Sequence, residues 1–504
     1  MPPKAEFAGL KVLIDAGLKP ILNSGEPDIE LRPRPADEDK LAYERILVPV
    51  DRFPSMLEGI TSQELREVWT GSGTSPSFTT IYPSQDIVTE LEGLLGAPGP
   101  SVKPEAPDDI GSAVWGDPMS IGIVPFEALT PRLRSLQVDG LSAVDNELSS
   151  SDWPFASRVW LHPRTERGKQ ALTQAAGSRP TTNRDLDKLT VVAMTGVTAM
   201  ARNTAVAIEK AGDYAFPARL VGPGLATADI TTISNEIPFV EGCVPDNTLN
   251  NLILCSKPEY FAALDLSGVD AVGLTGNHMN DFGYDNDLAS LNLYKEKGVP
   301  VYGGGANDEA ARAPLILEHH GNRLAFLGAN QWGPEEYWPK SPRPVSAWAG
   351  SDNPGSARFD RAQMAADIRA VKPKVDLVFA EAQHTEFNAA GDYQAEPLPQ
   401  QVADFQALSD AGADVVTGVQ AHAPQAVELR DDGIILYGLG NLYFDQTWSW
   451  PTRTGLVVWH TVYEGRLLNT HLSVTVIDPN FQLRWSTPQE RRDVLKTVYA
   501  ASGW

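Results

Sequence analysis

The sequence predicts a layered α/β protein with mixed sheets, preceded by a smaller α/β domain. Three observations predict this. From Leu189 to His422, short apolar runs alternate with helical patterns, the mark of strands layered with helices. Beyond His422 the pattern changes to paired runs turning at Asp432-Gly433 and Glu464-Gly465, which read as hairpins. The first third carries strands and helices of its own and ends in a polar, basic stretch.

In chain order, "RILVPVDRF" reads as a strand. "TSQELREVW" reads as a helix, with Thr61 and Glu64 spaced as a capping box. "TGSGTSPSF" is a loop, and "SQDIVTELEGLLG" is an amphipathic helix stopped by Gly96. Residues 97–110 are Pro-rich surface loop, and "PMSIGIVPFEAL" is a strand that turns into "TPRLRSLQVDG". Leu161 to Asp187 reads as a helix plus linker, so the domains divide as 1–185, 186–480 and a terminal helix in 481–504.

In the second domain, "LTVVAMTG", "VDAVGLTGNH", "RLAFLGAN", "VDLVFAEAQH" and "ADVVTGVQAH" are strands. Helices follow through Leu288, Leu291 and Tyr294, at "DRAQMAADIRAV" and at "PLPQQVADFQALSDAG". "TPQERRDVLKTVYAAS" is a helix capped by Thr487, Pro488 and Glu490.

The formal net charge of −24 over 504 residues argues against nucleic acid and against anionic membrane surfaces. No run of 18 apolar residues is present to span a bilayer. The first residues lack the order of a signal peptide, so the protein is cytosolic or has lost a leader. Its two cysteines, Cys243 and Cys255, fit one structural disulfide and an oxidising compartment, with two buried thiols as the alternative. Their spacing does not support a zinc knuckle.

Several strands end on polar residues of one kind. They deliver Asn235 and Glu236; Asn277 and His278, with Asp281 beyond; His384, with Glu386 beyond; Gln420 and His422; and Asn441 and Asp445. Ligands of α/β sheets gather at the carboxyl ends of strands. Each residue also has an ordinary reading: a histidine capping a strand, an Asn/Asp turn, or Gln and His sharing one strand face by chance. Their recurrence is the signal. Imidazole, carboxylate and amide oxygen would suit Zn, Mn or Fe at a hydrolytic centre, and His278 oriented by Asp281 could give a proton to a leaving group. The other histidines read as structural, with His319-His320 in a hairpin turn, and "YGGGAND" reads as a turn without the lysine of a phosphate loop.

On "MTGVTAMAR", "ISNEIPF", "LTGNHMNDFG", "QHTEF", "AGADVVTGVQAHAPQAVE" and "LYGLGNLYFDQ", the chain resembles the CapA family of capsule and poly-γ-glutamate synthesis proteins over roughly 189–478. The resemblance implies a layered αββα fold like that of calcineurin-type metallophosphoesterases. It also implies an extracytoplasmic location with the leader removed, and partners among the other capsule or polyglutamate synthesis proteins at the membrane. The ligand would be an anionic polymer or a phosphoester. Glu236, Asn277, His384, Glu386 and His422 would be the metal ligands, and Arg202, Asn235, Gln420 and Asn441 would meet substrate. Two departures stand out. Gly196 replaces the expected metal-binding Asp, and Gln420 replaces the first His of a His-x-His pair. They leave a single divalent metal (Zn, Mn or Fe) or none. Two readings follow: a hydrolase using His278 and Asp281, or a non-catalytic binding protein with a degraded metal site. Residues 40–160 resemble one lobe of a periplasmic phosphate-type binding protein.

Overall fold

The structure is a computed structural model that describes residues 10–19, 26–248, 252–332, 345–384 and 394–504. The chain divides into two compact units, Met1–Lys188 and Leu189–Trp504.

The first unit is built on one sheet. Its central strand, Lys40–Arg52, is buried over nine consecutive residues. Ala156–Pro163 and Ser120–Pro125 pair with it antiparallel on either side, and Thr80–Pro83 continues the sheet in parallel. The helix Ser62–Thr70 starts where its cap dictates: Thr61 accepts a hydrogen bond from Glu64 N, and Gly71 closes the helix in the left-handed conformation. Its buried face is Leu65, Val68 and Trp69. Part of the stretch expected to be linker, Thr181–Thr182, is instead a short strand parallel to Lys40–Arg52.

The second unit is two sheets face to face, with helices outside. The first sheet runs in the order Val301–Tyr302, Val269–Gly273, Ile230–Asn235, Leu189–Thr198, Thr454–Tyr463, Arg466–Ile477, Leu483–Trp485. Its first four strands are parallel and the remainder, made by the C-terminal hairpin, antiparallel. The second sheet runs Leu315–His319, Asn322–Asn330, Leu377–Gln383, Val415–Val419, Ile434–Leu436, Val427–Leu429. Its four inner strands are parallel and both edges antiparallel. The sheets are thus mixed, as the hairpin signals in the sequence require.

Apolar side chains fill the space between the sheets. Phe326 and Phe379 stack with centroids 4.9 Å apart, Tyr302 lies 5.7 Å from Phe326, and Phe379 meets His460 of the opposite sheet at 5.8 Å. Outside the first sheet, the helices Arg202–Ala211, Phe261–Leu266 and Tyr284–Lys297 bury Ile208, Phe261, Leu264 and Tyr294. Outside the second, Arg361–Val371 and Pro399–Asp410 bury Met364, Ile368, Phe405 and Leu408. The terminal helix Pro488–Ala501 carries its capping box, Thr487 with Glu490.

Two glycines let the layers close. A Cβ on Gly273 would sit 2.4 Å from Glu381 Oε1. That carboxyl is buried and accepts from Thr275 Oγ1 at 2.7 Å and Tyr302 OH at 2.9 Å. A Cβ on Gly196 would lie 2.0 Å from Gly440 O, because Val197 N donates to that carbonyl at 2.9 Å.

Candidate functional site

The carboxyl ends of the parallel strands in the second unit gather a set of side chains, most of them neutral. Gln383 is the last residue of its strand, Gln420 directly follows Val415–Val419, and Asn277 lies just beyond Val269–Gly273. Gln383 donates through Nε2 to Asn277 Oδ1 at 3.0 Å and to Gln420 Oε1. All three are buried, and Gln383 Oε1 has no hydrogen-bond partner among the described residues. Gln420 holds a φ of 81°, a conformation that costs a non-glycine residue about 1–3 kcal/mol and survives where the surroundings impose it. Glu236 lies against the same loop, its Cα 2.2 Å from where a Cβ on Gly276 would stand.

Next to this cluster, His278 Nδ1 lies 2.6 Å from Asp281 Oδ2, which also accepts Leu254 N at 2.7 Å. The carboxylate therefore orients the ring. His422 Nδ1 lies 2.8 Å from Asn441 Oδ1. Asn441 spends its own amide on Thr452 O at 2.8 Å and His422 O at 3.2 Å, so its oxygen is the acceptor and His422 Nδ1 carries the proton. Burial pushes the pKa of His422 down to about 3; the bond to Asn441 opposes this, and the nearby Arg202 and His278 charges add to it. His422 is therefore a neutral imidazole. It stacks on Phe444 at 5.1 Å, and the Arg202 guanidinium also lies over Phe444, at 5.3 Å.

The structure gives four of the expected residues partners within the protein. Arg202, which lines the cleft described below, is buried in an ion pair with Asp445, Nε to Oδ1 3.0 Å, and Asp445 also accepts from Asn203. Asn235 faces the helix layer, donating to Ile237 O at 2.9 Å and Tyr294 OH at 2.7 Å. Asn441 positions His422 and its turn. His384 points away from Gln383 into the outer helix layer, because successive strand side chains take opposite faces. There it meets Asp404 Oδ2 at 2.8 Å between the rings of Phe359 and Phe405, with Nδ1 buried and unpartnered among the described residues. Burial pushes the Asp404 carboxyl up, but hydrogen bonds from His384, Gln400 and Arg361 outweigh it and hold its pKa below the ordinary value. Glu386 lies outside the described residues. Asn277, His278, Asp281, Gln420, His422 and, beside Gly276, Glu236 lie at the strand ends. Sequence reasoning missed Gln383, although the alternation of buried Glu381 and Gln383 along that strand marks it as an inward residue.

These residues do not fit a divalent Zn, Mn or Fe. Such centres draw on carboxylate and imidazole, and among the described residues no three His, Cys, Asp or Glu side chains meet. The Asn277 and Gln420 oxygens each accept a hydrogen bond from the Gln383 amide, so the residues at the strand ends offer mainly neutral amide groups.

A cleft of about 730 Å³ has Leu254, whose N–H donates to Asp281, in its wall. Its walls include Arg202, Glu241, Val244, Asp246, Leu254, Phe282 and Asn286, together with Cys243 and Cys255. The two cysteines form a disulfide across a separation of 12 residues.

Residues 191–446 match the profile of "Bacterial capsule synthesis protein PGA_cap". The chain is 29% identical over 288 residues to the capsule biosynthesis protein CapA of Bacillus anthracis, covering 56% of this chain and 66% of that protein. It is 25% identical over 203 residues to the PGA biosynthesis protein CapA of Bacillus subtilis strain 168, covering 40% and 49%. It is 27% identical over 192 residues to a probable polyglutamine synthesis accessory protein of Mycobacterium tuberculosis, covering 37% and 48%. The chain thus spans from about half to just under two thirds of these relatives. A 5'-nucleotidase precursor from Thermus thermophilus superposes with a TM-score of 0.34 and 14% identity over 62% of this chain and 58% of that one, too slight a likeness to carry an argument. With half its length matched and the strand-end residues inside the matched region, the chain belongs to the bacterial capsule synthesis protein family PGA_cap.

Proposed function

We propose that this chain is an accessory protein of capsule or polyglutamate synthesis that binds a segment of polymer at the strand ends rather than cleaving it. One observation carries this reading: Asn277, Gln383 and Gln420 form a hydrogen-bonded amide cluster where a hydrolytic centre would need metal ligands. Amides orient a polar chain through hydrogen bonds but generate no nucleophile. The names of the relatives, a capsule biosynthesis protein and a synthesis accessory protein, support the role. The Cys243–Cys255 disulfide supports work outside the cytoplasm, in company with other synthesis proteins at the membrane.

A second reading, hydrolysis of a phosphoester or polymer linkage, is favoured by the His278–Asp281 pair, whose geometry suits proton donation. One experiment separates the two. The purified chain is incubated with Zn, Mn or Fe, desalted, and assayed for bound metal and phosphoesterase turnover. Binding without catalysis predicts less than stoichiometric metal and no turnover above background. Stoichiometric metal, with turnover that falls about 10²–10⁴-fold in His278→Ala, would establish the hydrolase instead.

A further inference from the structure

We infer that the turn from Trp448 to Arg453 is a second polymer contact, in which Trp448, Trp450 and Arg453 grip a chain that carries carboxylates. The inference rests on the binding reading above and adds where the polymer runs beyond the amide cluster.

Position is the first ground. Residues 437–453 join Ile434–Leu436 of the second sheet to Thr454–Tyr463 of the first. The one strand is parallel to Val415–Val419 and the other antiparallel to Leu189–Thr198, so the connection crosses at the carboxyl ends of the parallel strands. Asn441 links the candidate site to this turn. Its Oδ1 accepts from His422 Nδ1 at 2.8 Å, and its Nδ2 donates to Thr452 O at 2.8 Å. The turn is therefore the surface next to Gln420 and His422.

The build of the turn is the second ground. Trp448 and Trp450 are 56% and 40% exposed, although large aromatic side chains are mostly buried. The backbone beneath them is fixed. Buried Thr452 donates through Oγ1 to Ser449 O at 3.1 Å, and Arg453 N donates to the same carbonyl at 3.2 Å. Arg453 also holds Ile477 O, through Nε at 3.2 Å and Nη2 at 3.1 Å. The two indoles are thus presented to solvent before a ligand arrives, which lowers the cost of ordering them.

Charge is the third ground. Arg453 is half-buried and has no ion-pair partner among the described residues, on a chain of formal net charge −24. Its bonds go to a neutral carbonyl, which leaves Nη1 without a partner among the described residues. Two acids close by in sequence or fold are engaged elsewhere. Asp445 holds Arg202 and Asn203, and Asp478 accepts from Asn480 N at 2.7 Å and Gln482 N at 3.0 Å. The guanidinium carbon lies 6.0 Å from the centre of the Trp450 ring. A carboxylate pairs with the open guanidinium edge, and the indole faces take the amide planes or methylenes beside it. An anionic bilayer offers the same charge across a whole surface, which the acidic protein opposes; a single strand reaches the one cation.

The test uses the full chain, isothermal titration with poly-γ-glutamate and sedimentation with phosphatidylglycerol vesicles. The expected result is saturable polymer binding that weakens as salt rises from about 50 to about 500 mM. Trp448→Ala and Trp450→Ala should each weaken it about three- to ten-fold at an unchanged melting temperature. Arg453→Gln should weaken it and flatten the salt dependence, and Arg453→Lys should restore much of both. Polymer binding within two-fold of the unaltered chain in all of these variants would overturn the inference and leave the binding reading standing. Vesicle binding that is lost in Trp448→Ala, beside unchanged polymer affinity, would also overturn it, by assigning the turn to a membrane. If the unaltered chain bound no polymer, the inference and the binding reading would fall together.

Discussion

Gln383 and His384 are adjacent, buried and polar, yet they serve opposite layers. Gln383 joins the amide cluster between the sheets; His384 anchors the Pro399–Asp410 helix through Asp404, which Arg361 also holds. His384→Ala should therefore cost about 1–3 kcal/mol of stability, since it takes a buried hydrogen-bond partner from Asp404, while leaving polymer affinity unchanged. Denaturant titration beside a binding isotherm checks this, and a large loss of affinity in a normally stable variant would return His384 to the site. At this scale the sequence shows which residue types gather at the strand ends but not which way each one points. Arg202 illustrates the limit. It stands next to the first strand like a ligand-binding cation, and its engagement by Asp445, 243 residues away, is decided by tertiary packing alone.

At the scale of elements, most of the architecture was legible. The strand and helix alternation, the Asp-Gly and Glu-Gly hairpins, the His319-His320 turn and the caps at Thr61 and Thr487 all form as their local chemistry requires. The short strand Thr181–Thr182 was missed because two residues carry no period; it exists only through its pairing with Lys40–Arg52. The disulfide loop lay between two readings, since spacing cannot tell paired from free thiols. Its closure has a measurable consequence. Replacing both cysteines with serine should lower stability by about 3 kcal/mol, the loop-closure entropy of a ring this size. Reduction of the native chain, followed by thermal denaturation, should give the same loss.

For the whole molecule, the clearest prediction is acid sensitivity. His422 and His460 are both wholly buried, and burial pushes each pKa down to about 3. His460 bonds Thr470 Oγ1 through Nδ1 at 3.0 Å, while its Nε2 has no partner among the described residues. In the unfolded chain these rings titrate near the ordinary value of 6.5, so between there and about 3 the unfolded state binds more protons than the folded one. Their contribution to stability is thus complete above pH 6.5 and lost as pH falls toward 3. Asp287 has the opposite sign. Burial raises its carboxyl to about 8, and neither oxygen has a partner among the described residues, so it favours folding most when protonated and subtracts stability as pH rises through that value. Urea midpoints from about pH 7 to about pH 4 should fall, and His460→Leu should flatten the decline. A variant with an unchanged slope would show that other groups govern it.

The close crossing at Gly196 bears on repair by design. The aspartate that the resemblance leads one to expect there cannot simply be written in. The Gly440 carbonyl occupies the space its first carbon would need, so any side chain must push two strands apart before it can reach an ion. Seating an acid at position 196 would call for rebuilding the 436–441 turn first, which makes the bare position there a property of the backbone and not of one replaceable letter.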